Sequence, residues 1–241
     1  MGDFLAVSAF RTEDATALAQ AVASYLEAHG VTCKVREEAS GAGEPTDAAI
    51  YGPENGWVRV LWPQYFNVHD FPLCGAISVQ RQLVVSTVHV YDGDFWEHLF
   101  LNAGSVLHKF SSWPDYFAED AEAAARAKTE WKGHSAALAA FLGLPADSFS
   151  RYFVHMPIDR PAVPPAPAKK SLFSWFQKRE GASSTPPVTK AYDDDKFDLD
   201  NYWVFTDFWQ RLGIKYPDPP NVGIIKVLRL DRRFGTKLPT S

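Results

Sequence analysis

The stretch His89-Val90-Tyr91-Asp92-Gly93-Asp94-Phe95-Trp96-Glu97-His98 holds the densest set of side chains able to do chemistry. Imidazole and carboxylate groups suit divalent ions, and imidazole titrates near neutral pH. His89, Asp94 and His98 could therefore hold a metal or, with Tyr91, act as general acid and base in a small hydrolase. Either use requires one shared face. Asp92-Gly93 is a strong two-residue hairpin signal, and such a turn pairs Tyr91 with Asp94, His89 with Trp96 and Thr87 with His98. Strand side chains alternate in facing. This register gathers Thr87, His89, Tyr91, Asp94, Trp96, His98 and Phe100 on one face and Ser86, Val88, Val90, Phe95, Glu97 and Leu99 on the other. The same residue types also make ordinary cross-strand pairs, and a slip of one residue reverses every facing. The expectation is accordingly a structural or binding surface, with no metal and no cofactor, and catalysis at His89, Asp94, His98 and Tyr91 as the alternative.

Weaker signals point the same way. His69-Asp70 could be a base and its orienting carboxylate, but Asp70 reads better as the cap of a following helix. Cys33 and Cys74 are the two cysteines, far apart and with no helper beside them. They exclude a four-cysteine zinc site and a disulfide framework. No Gly-x-Ser-x-Gly elbow, phosphate-binding loop or dinucleotide fingerprint occurs. The acidic run Asp193–Asp200 lacks the glycine and distal glutamate of a calcium loop and reads as a solvated approach to a helix. Lysine and arginine total 24 against 29 aspartates and glutamates, a net charge of −5, which argues against nucleic-acid binding through a basic face.

These residues need elements to position them. Phe4–Phe10 reads as a strand. Thr12 reads as the cap of an amphipathic helix whose buried stripe is Ala15, Leu18, Ala19, Val22 and Leu26, with Gly30 closing it. Val31–Val35 is a second strand, Ala49–Tyr51 a short extended piece and Trp57–Trp62 a strand. Phe71–Leu83 is a helix, and Val84–Tyr91 and Phe95–Leu101 are the hairpin arms. Val106–Phe110 adds one more strand. The order is that of a ferredoxin-like βαββαβ sheet extended by a β-hairpin, with both helices on one face. Residues 114–153 read as helical, with an alanine-rich Ala118–Trp131, an apolar Ser135–Leu142 closed by Gly143 and a short helix from Pro145 to Phe153. A Pro-rich linker then covers 157–190, and 191–241 form an extension with an aromatic helix over Tyr202–Leu212 and a strand over Val222–Leu230, packing on the first domain, 1–156.

Apolar residues make up 46% of the 241 and aromatic ones 14%. That supplies a real core and leaves aromatic side chains for an interface. The interaction candidates are Trp57 and Trp96 on the sheet face, and Phe173, Trp175 and Phe176 in the basic, aromatic stretch Lys169–Arg179. That stretch could dock on this chain, on a partner or on an anionic membrane, the membrane being the least favoured. No apolar run is long enough to cross a bilayer, and no secretory signal opens the sequence. The expectation is a non-enzymatic cytoplasmic interaction module of the bacterial accessory or immunity type, with a protein partner and a self-associating form left open.

Overall fold

A mainly apolar run suits a strand covered on both faces, and Leu5–Arg11, interrupted only by Ser8 before its terminal arginine, forms such a strand, β1, in the computed structural model of the chain. The structure describes residues 3–37, 47–63, 70–156, 189–218 and 223–230. Along β1, Ala6 and Phe10 enter one core and Val7 and Ala9 the other. Helix α1 (Ala15–Ala28) follows. Its cap is Asp14, whose Oδ1 accepts the N–H of Ala17 at 2.8 Å, while the expected cap, Thr12, accepts the N–H of Asp14. Gly30, at φ +80°, lets Val31 N–H return to the carbonyl of Leu26, where a side chain would be strained.

Strands β2 (Cys33–Glu37), β3 (Asp47–Glu54) and β4 (Trp57–Leu61) come next, then α2 (Asp70–Arg81), β5 (Val84–Tyr91), β6 (Phe95–Asn102) and β7 (Ser105–Ser111). Helices α3 (Ala121–Glu130) and α4 (Ser135–Leu142), a 3₁₀ turn at Ser150–Tyr152, α5 (Val204–Arg211) and β8 (Ile224–Leu230) complete the described elements. The chain is thus α+β. Its eight strands form one open antiparallel sheet in the order β2-β8-β3-β4-β1-β5-β6-β7. The hairpin β6-β7 extends the sheet outward from β5, as its position in sequence implies.

The other edge departs from expectation. The short piece at Ala49–Tyr51 is an eight-residue strand, and β8 lies between it and β2. The reason is apolar supply. Lys34, Val35, Arg36 and Glu37 of β2 are exposed, whereas Leu228 and Leu230 of β8 join Leu26, Val31 and Ala48 in the core under α1. The chain covers α1 with its most distant strand because β2 has too few buried residues to do so.

Helices α1 and α2 cover one face of the sheet. The opposite face, read from sequence as an open aromatic surface, is roofed by α4, the 3₁₀ turn and α5. Leu138, Phe149, Tyr152, Phe205, Phe208 and Trp209 pack there on Val7, Val88, Trp96, Phe100 and Phe110. Trp57 and Trp96 are therefore core residues, 4% and 2% exposed. Their large area is satisfied within the chain, at about 1.5–3 kcal/mol for each fully buried large side chain. Within 114–153, α4 matches the expected Ser135–Leu142 with its Gly143 stop, while the pieces before and after it shorten to α3 and the 3₁₀ turn. The Pro-rich stretch, apart from Thr189 and Lys190, lies outside the described residues, as do Phe173, Trp175 and Phe176.

Candidate functional site

The hairpin turn fixes where the sequence candidates go. Asp92 and Gly93 both have positive φ, 53° and 72°, and Asp94 N–H bonds to the carbonyl of Tyr91 at 3.0 Å. The strand register, however, pairs Tyr91 with Phe95, His89 with Glu97 and Val88 with His98. Asp94 thus belongs to the loop, and the register sits one residue from the two-residue expectation. His89 and His98 consequently point to opposite faces of the sheet. His89 stacks on Phe71 of α2, with ring centroids 3.8 Å apart. His98 enters the core under α5. Asp94 stays at the exposed turn, where it accepts the Tyr116 hydroxyl at 3.0 Å, and Tyr91 packs edge-on against Phe4 and Phe117. The shared acid–base face is not formed, and among the described residues no group of three or more metal-ligating side chains comes together. His69 lies outside the described residues, while Cys74 is fully buried in α2.

Two buried polar clusters take the place of that face. On the α5 side, Ser86 Oγ lies 2.9 Å from His98 Nε2 and accepts Trp209 Nε1–H at 3.0 Å. The ring of His108 stands 5.1 Å from that of His98, and His108 Nδ1 accepts the backbone N–H of His134 at 2.9 Å. His98 Nδ1 and His108 Nε2 have no partner. Burial pushes both histidines down, His108 to about 3 and His98 well below its usual value, the neighbouring imidazole adding to the effect at His98. On the α2 side, Ser8 Oγ is bound by Trp62 Nε1–H at 2.7 Å, Cys74 Sγ–H at 3.2 Å and Thr87 Oγ1 at 2.8 Å. A serine beside an imidazole, or beside a thiol, has the composition of a nucleophile pair. Ser8, Ser86, Cys74 and His98 are each 0% exposed, so both clusters tie the helix layers to the sheet and meet no substrate.

An accessible cleft of about 870 Å³ lies against the outer face of α5. Trp203, Thr206, Asp207 and Gln210 recur at i, i+3, i+4 and i+7 and form one helical stripe as its floor. The complementary residues Phe205, Phe208, Trp209 and Leu212 hold α5 to the sheet. Gly213, at φ +75°, turns the chain back so that Ile214 N–H reaches the carbonyl of Trp209 at 2.9 Å, and 213–218 become one wall. The other wall is 194–197, tied to α5 where Phe197 N–H donates to Asp207 Oδ2 at 2.8 Å. Asn55, at the β3–β4 turn, closes the end by donating its amide to the carbonyl of Gly213.

The acidic run behind this wall is solvated at Asp193, Asp194 and Asp198, as read from sequence, but not at Asp195. Asp195 is buried and accepts the Tyr152 hydroxyl at 2.7 Å, Tyr192 N–H at 2.9 Å and Arg211 Nη2 at 3.1 Å. Arg211 also binds the exposed Asp194. A carboxylate with three donors is a strut that sets the wall's position on α5. The sequence hint for it was an aspartate run leading into an aromatic helix, and only the approach of Tyr152 and Arg211 separates Asp195 from its exposed neighbours.

Chemically the cleft combines the aromatic rings of Trp203, Phe197 and Tyr216 with both signs of charge and two side-chain amides. Trp203 and Tyr216 meet edge to face, 5.4 Å apart. The Thr206 hydroxyl is spent on the Trp203 carbonyl at 2.8 Å, Lys215 on Glu54 at 3.3 Å, and Lys196 sits 4.9 Å over the Phe197 ring. No histidine or cysteine is among the described lining residues. The arrangement can hold apolar side chains against rings and match backbone donors and acceptors at the rim. Compared with known proteins, the chain matches no family model, no curated protein and no solved structure.

Proposed function

We propose that the protein is a non-enzymatic interaction module that holds an extended peptide segment of a protein partner in the α5 cleft. The observation that carries the reading is a separation. The serine–thiol cluster of Ser8 and Cys74 and the serine–imidazole cluster of Ser86, His98 and His108 are sealed in the two cores, whereas the cleft presents rings, amides and both charges. A peptide backbone needs donors and acceptors in alternation, and the exposed Gln210, Lys196 and Asp218 offer both along one groove. The volume falls in the range of roughly 300–1,000 Å³ usual for ligand sites. Trp57 and Trp96 contribute by supporting the sheet beneath the site rather than by touching the partner.

Two finer readings belong with this one. The strands β3-β4-β1-β5, with α1 and α2 on one face, are read as a ferredoxin-like unit, which their antiparallel order supports. Assignment to the cytoplasm is supported by two buried free thiols, Cys33 and Cys74.

The test is selection of a phage-displayed random dodecapeptide library on the full chain, followed by affinity measurement of the enriched peptides. Thr206→Arg places a long cation on the cleft floor and Trp203→Ala removes its largest ring. Each should weaken binding tenfold or more, that is by about 1.4 kcal/mol, while Val79→Ser on the far face should not. Enriched peptides that bind both cleft variants as well as the parent would refute the reading.

A further inference from the structure

We propose that the partner is cationic: its apolar residues enter the cleft and its arginines or lysines lie over the carboxylates of Asp3, Asp92 and Asp94. This rests on the peptide-binding reading above and adds the partner's charge. The aromatic surface of the cleft does not stop at Trp203. The Tyr202 ring lies 5.5 Å from that of Trp203, and its hydroxyl donates to Asp3. The same ring closes on Gly93, where an added Cβ would meet it at 3.5 Å, and Gly93 N–H bonds to the carbonyl of Asp3 at 2.8 Å. Tyr202 therefore bridges the cleft to the β5–β6 turn.

At the turn the rings continue outward. Tyr91 and Tyr116 each meet Phe117 edge-on at 4.9 Å, and Phe117 is 63% exposed. An exposed ring continuous with a cleft is the kind of patch that a partner covers. Its surroundings state which partner. Asp3, Asp92 and Asp94 are all exposed. The donors to Asp3 and Asp94 are the phenols of Tyr202 and Tyr116, which are neutral and leave the carboxylates their charge. Of the cations along the same surface, Arg211 is engaged with Asp194 and Asp195, Lys215 with Glu54 and Lys128 with Asp115, and Lys196 sits over the Phe197 ring in the cleft rather than at the turn carboxylates. A ring face and a carboxylate side by side suit a guanidinium, which stacks on the one and forks to the other, and an ammonium less closely.

The experiment repeats the dodecapeptide selection on the full chain and on the triple variant Asp3→Asn, Asp92→Asn, Asp94→Asn, which changes only exposed carboxylates. On the parent chain the enriched peptides should be net positive and carry aromatic or aliphatic residues. Three exposed charge contacts correspond to roughly a tenfold change in affinity. The triple variant should bind these peptides about that much more weakly and select neutral ones instead. Raising the salt to 0.5 M should narrow the gap, because the screening length falls below about 5 Å. Neutral or acidic peptides on the parent, or equal affinity for the triple variant, overturn the charge inference, while the Thr206→Arg result independently decides the cleft. Peptides indifferent to the cleft variants as well overturn both.

Discussion

Acidification should destabilise the fold through His98 and His108 before any carboxylate is involved. Both imidazoles are buried, and burial holds their folded pKa values far below that of a free histidine, about 6.5. The unfolded chain therefore binds protons that the folded chain refuses. Stability then rises with pH wherever the unfolded state carries more protons. The contribution is fully present above about pH 7 and is lost as pH falls below about 6.5, continuing towards the folded value of about 3 at His108. Between pH 7 and pH 5, each histidine costs about 1.9 kcal/mol, and the pair about 4 kcal/mol, from the unfolded pKa alone. That is a large share of a typical stability of about 5–15 kcal/mol. Unfolded carboxylates titrate near pH 4 and contribute little above pH 5. Urea unfolding monitored by far-UV circular dichroism at pH 7.0 and 5.0 measures the effect. With an m-value of roughly 2.5 kcal/mol/M, the midpoint should drop by about 1.5 M. His98→Gln and His108→Gln should each lower stability at pH 7 and each remove about half of the pH dependence. An unchanged midpoint at pH 5, or an equal pH dependence in the double variant, refutes the argument.

Asp195→Ala removes the acceptor of three donors and leaves Tyr152 and Arg211 without it, so it should cost about 3–5 kcal/mol, the penalty for breaking a buried pair. Thermal melts should show a fall of roughly 8–16 °C, against under about 1 kcal/mol for exposed Asp194→Ala; equal shifts would contradict the strut. Burial, then Glu27, pushes the Cys33 thiol up to about 11, and Cys74 is fully enclosed. At pH 8 both should react with a disulfide reagent at least about a hundredfold more slowly than in urea. Immediate labelling of the native chain would contradict the packing.

Much of the fold was legible because local patterns carried it. The buried stripe of α1, the Gly30 stop, the hairpin arms and the aromatic helix at α5 each rest on spacing within one element. The register of the hairpin was not. Asp92-Gly93 takes the positive φ values that the pair signals, yet the loop also absorbs Asp94. A period of two converts that single residue into opposite faces for His89 and His98. The candidate site dissolved on one residue of loop length, a quantity that dipeptide preferences do not determine.

The remaining features depend on pairings between distant parts of the chain, which no window of sequence contains. The sheet brings Lys226 of β8 to Glu37 of β2, an ion pair across most of the chain length. Trp209 reaches Ser86, and Tyr152 reaches Asp195, by the same kind of long-range closure. The last of these converts Asp195, part of a run that reads as solvated, into a buried contact. The cleft inherits this logic. Its floor is legible in hindsight as the polar stripe of α5, since Trp203, Thr206, Asp207 and Gln210 share one face opposite Phe205, Phe208 and Trp209. Its walls are set by Gly213 and by the Asp195 strut, and its end by Asn55 from the far side of the sheet. A polar stripe on an aromatic helix is ordinary solvent-facing surface until something flanks it. Here the strut and the glycine turn supply the flanks, so the shape of the cleft depends on Asp195, which stands behind its wall, and on the positive φ of Gly213 at its edge.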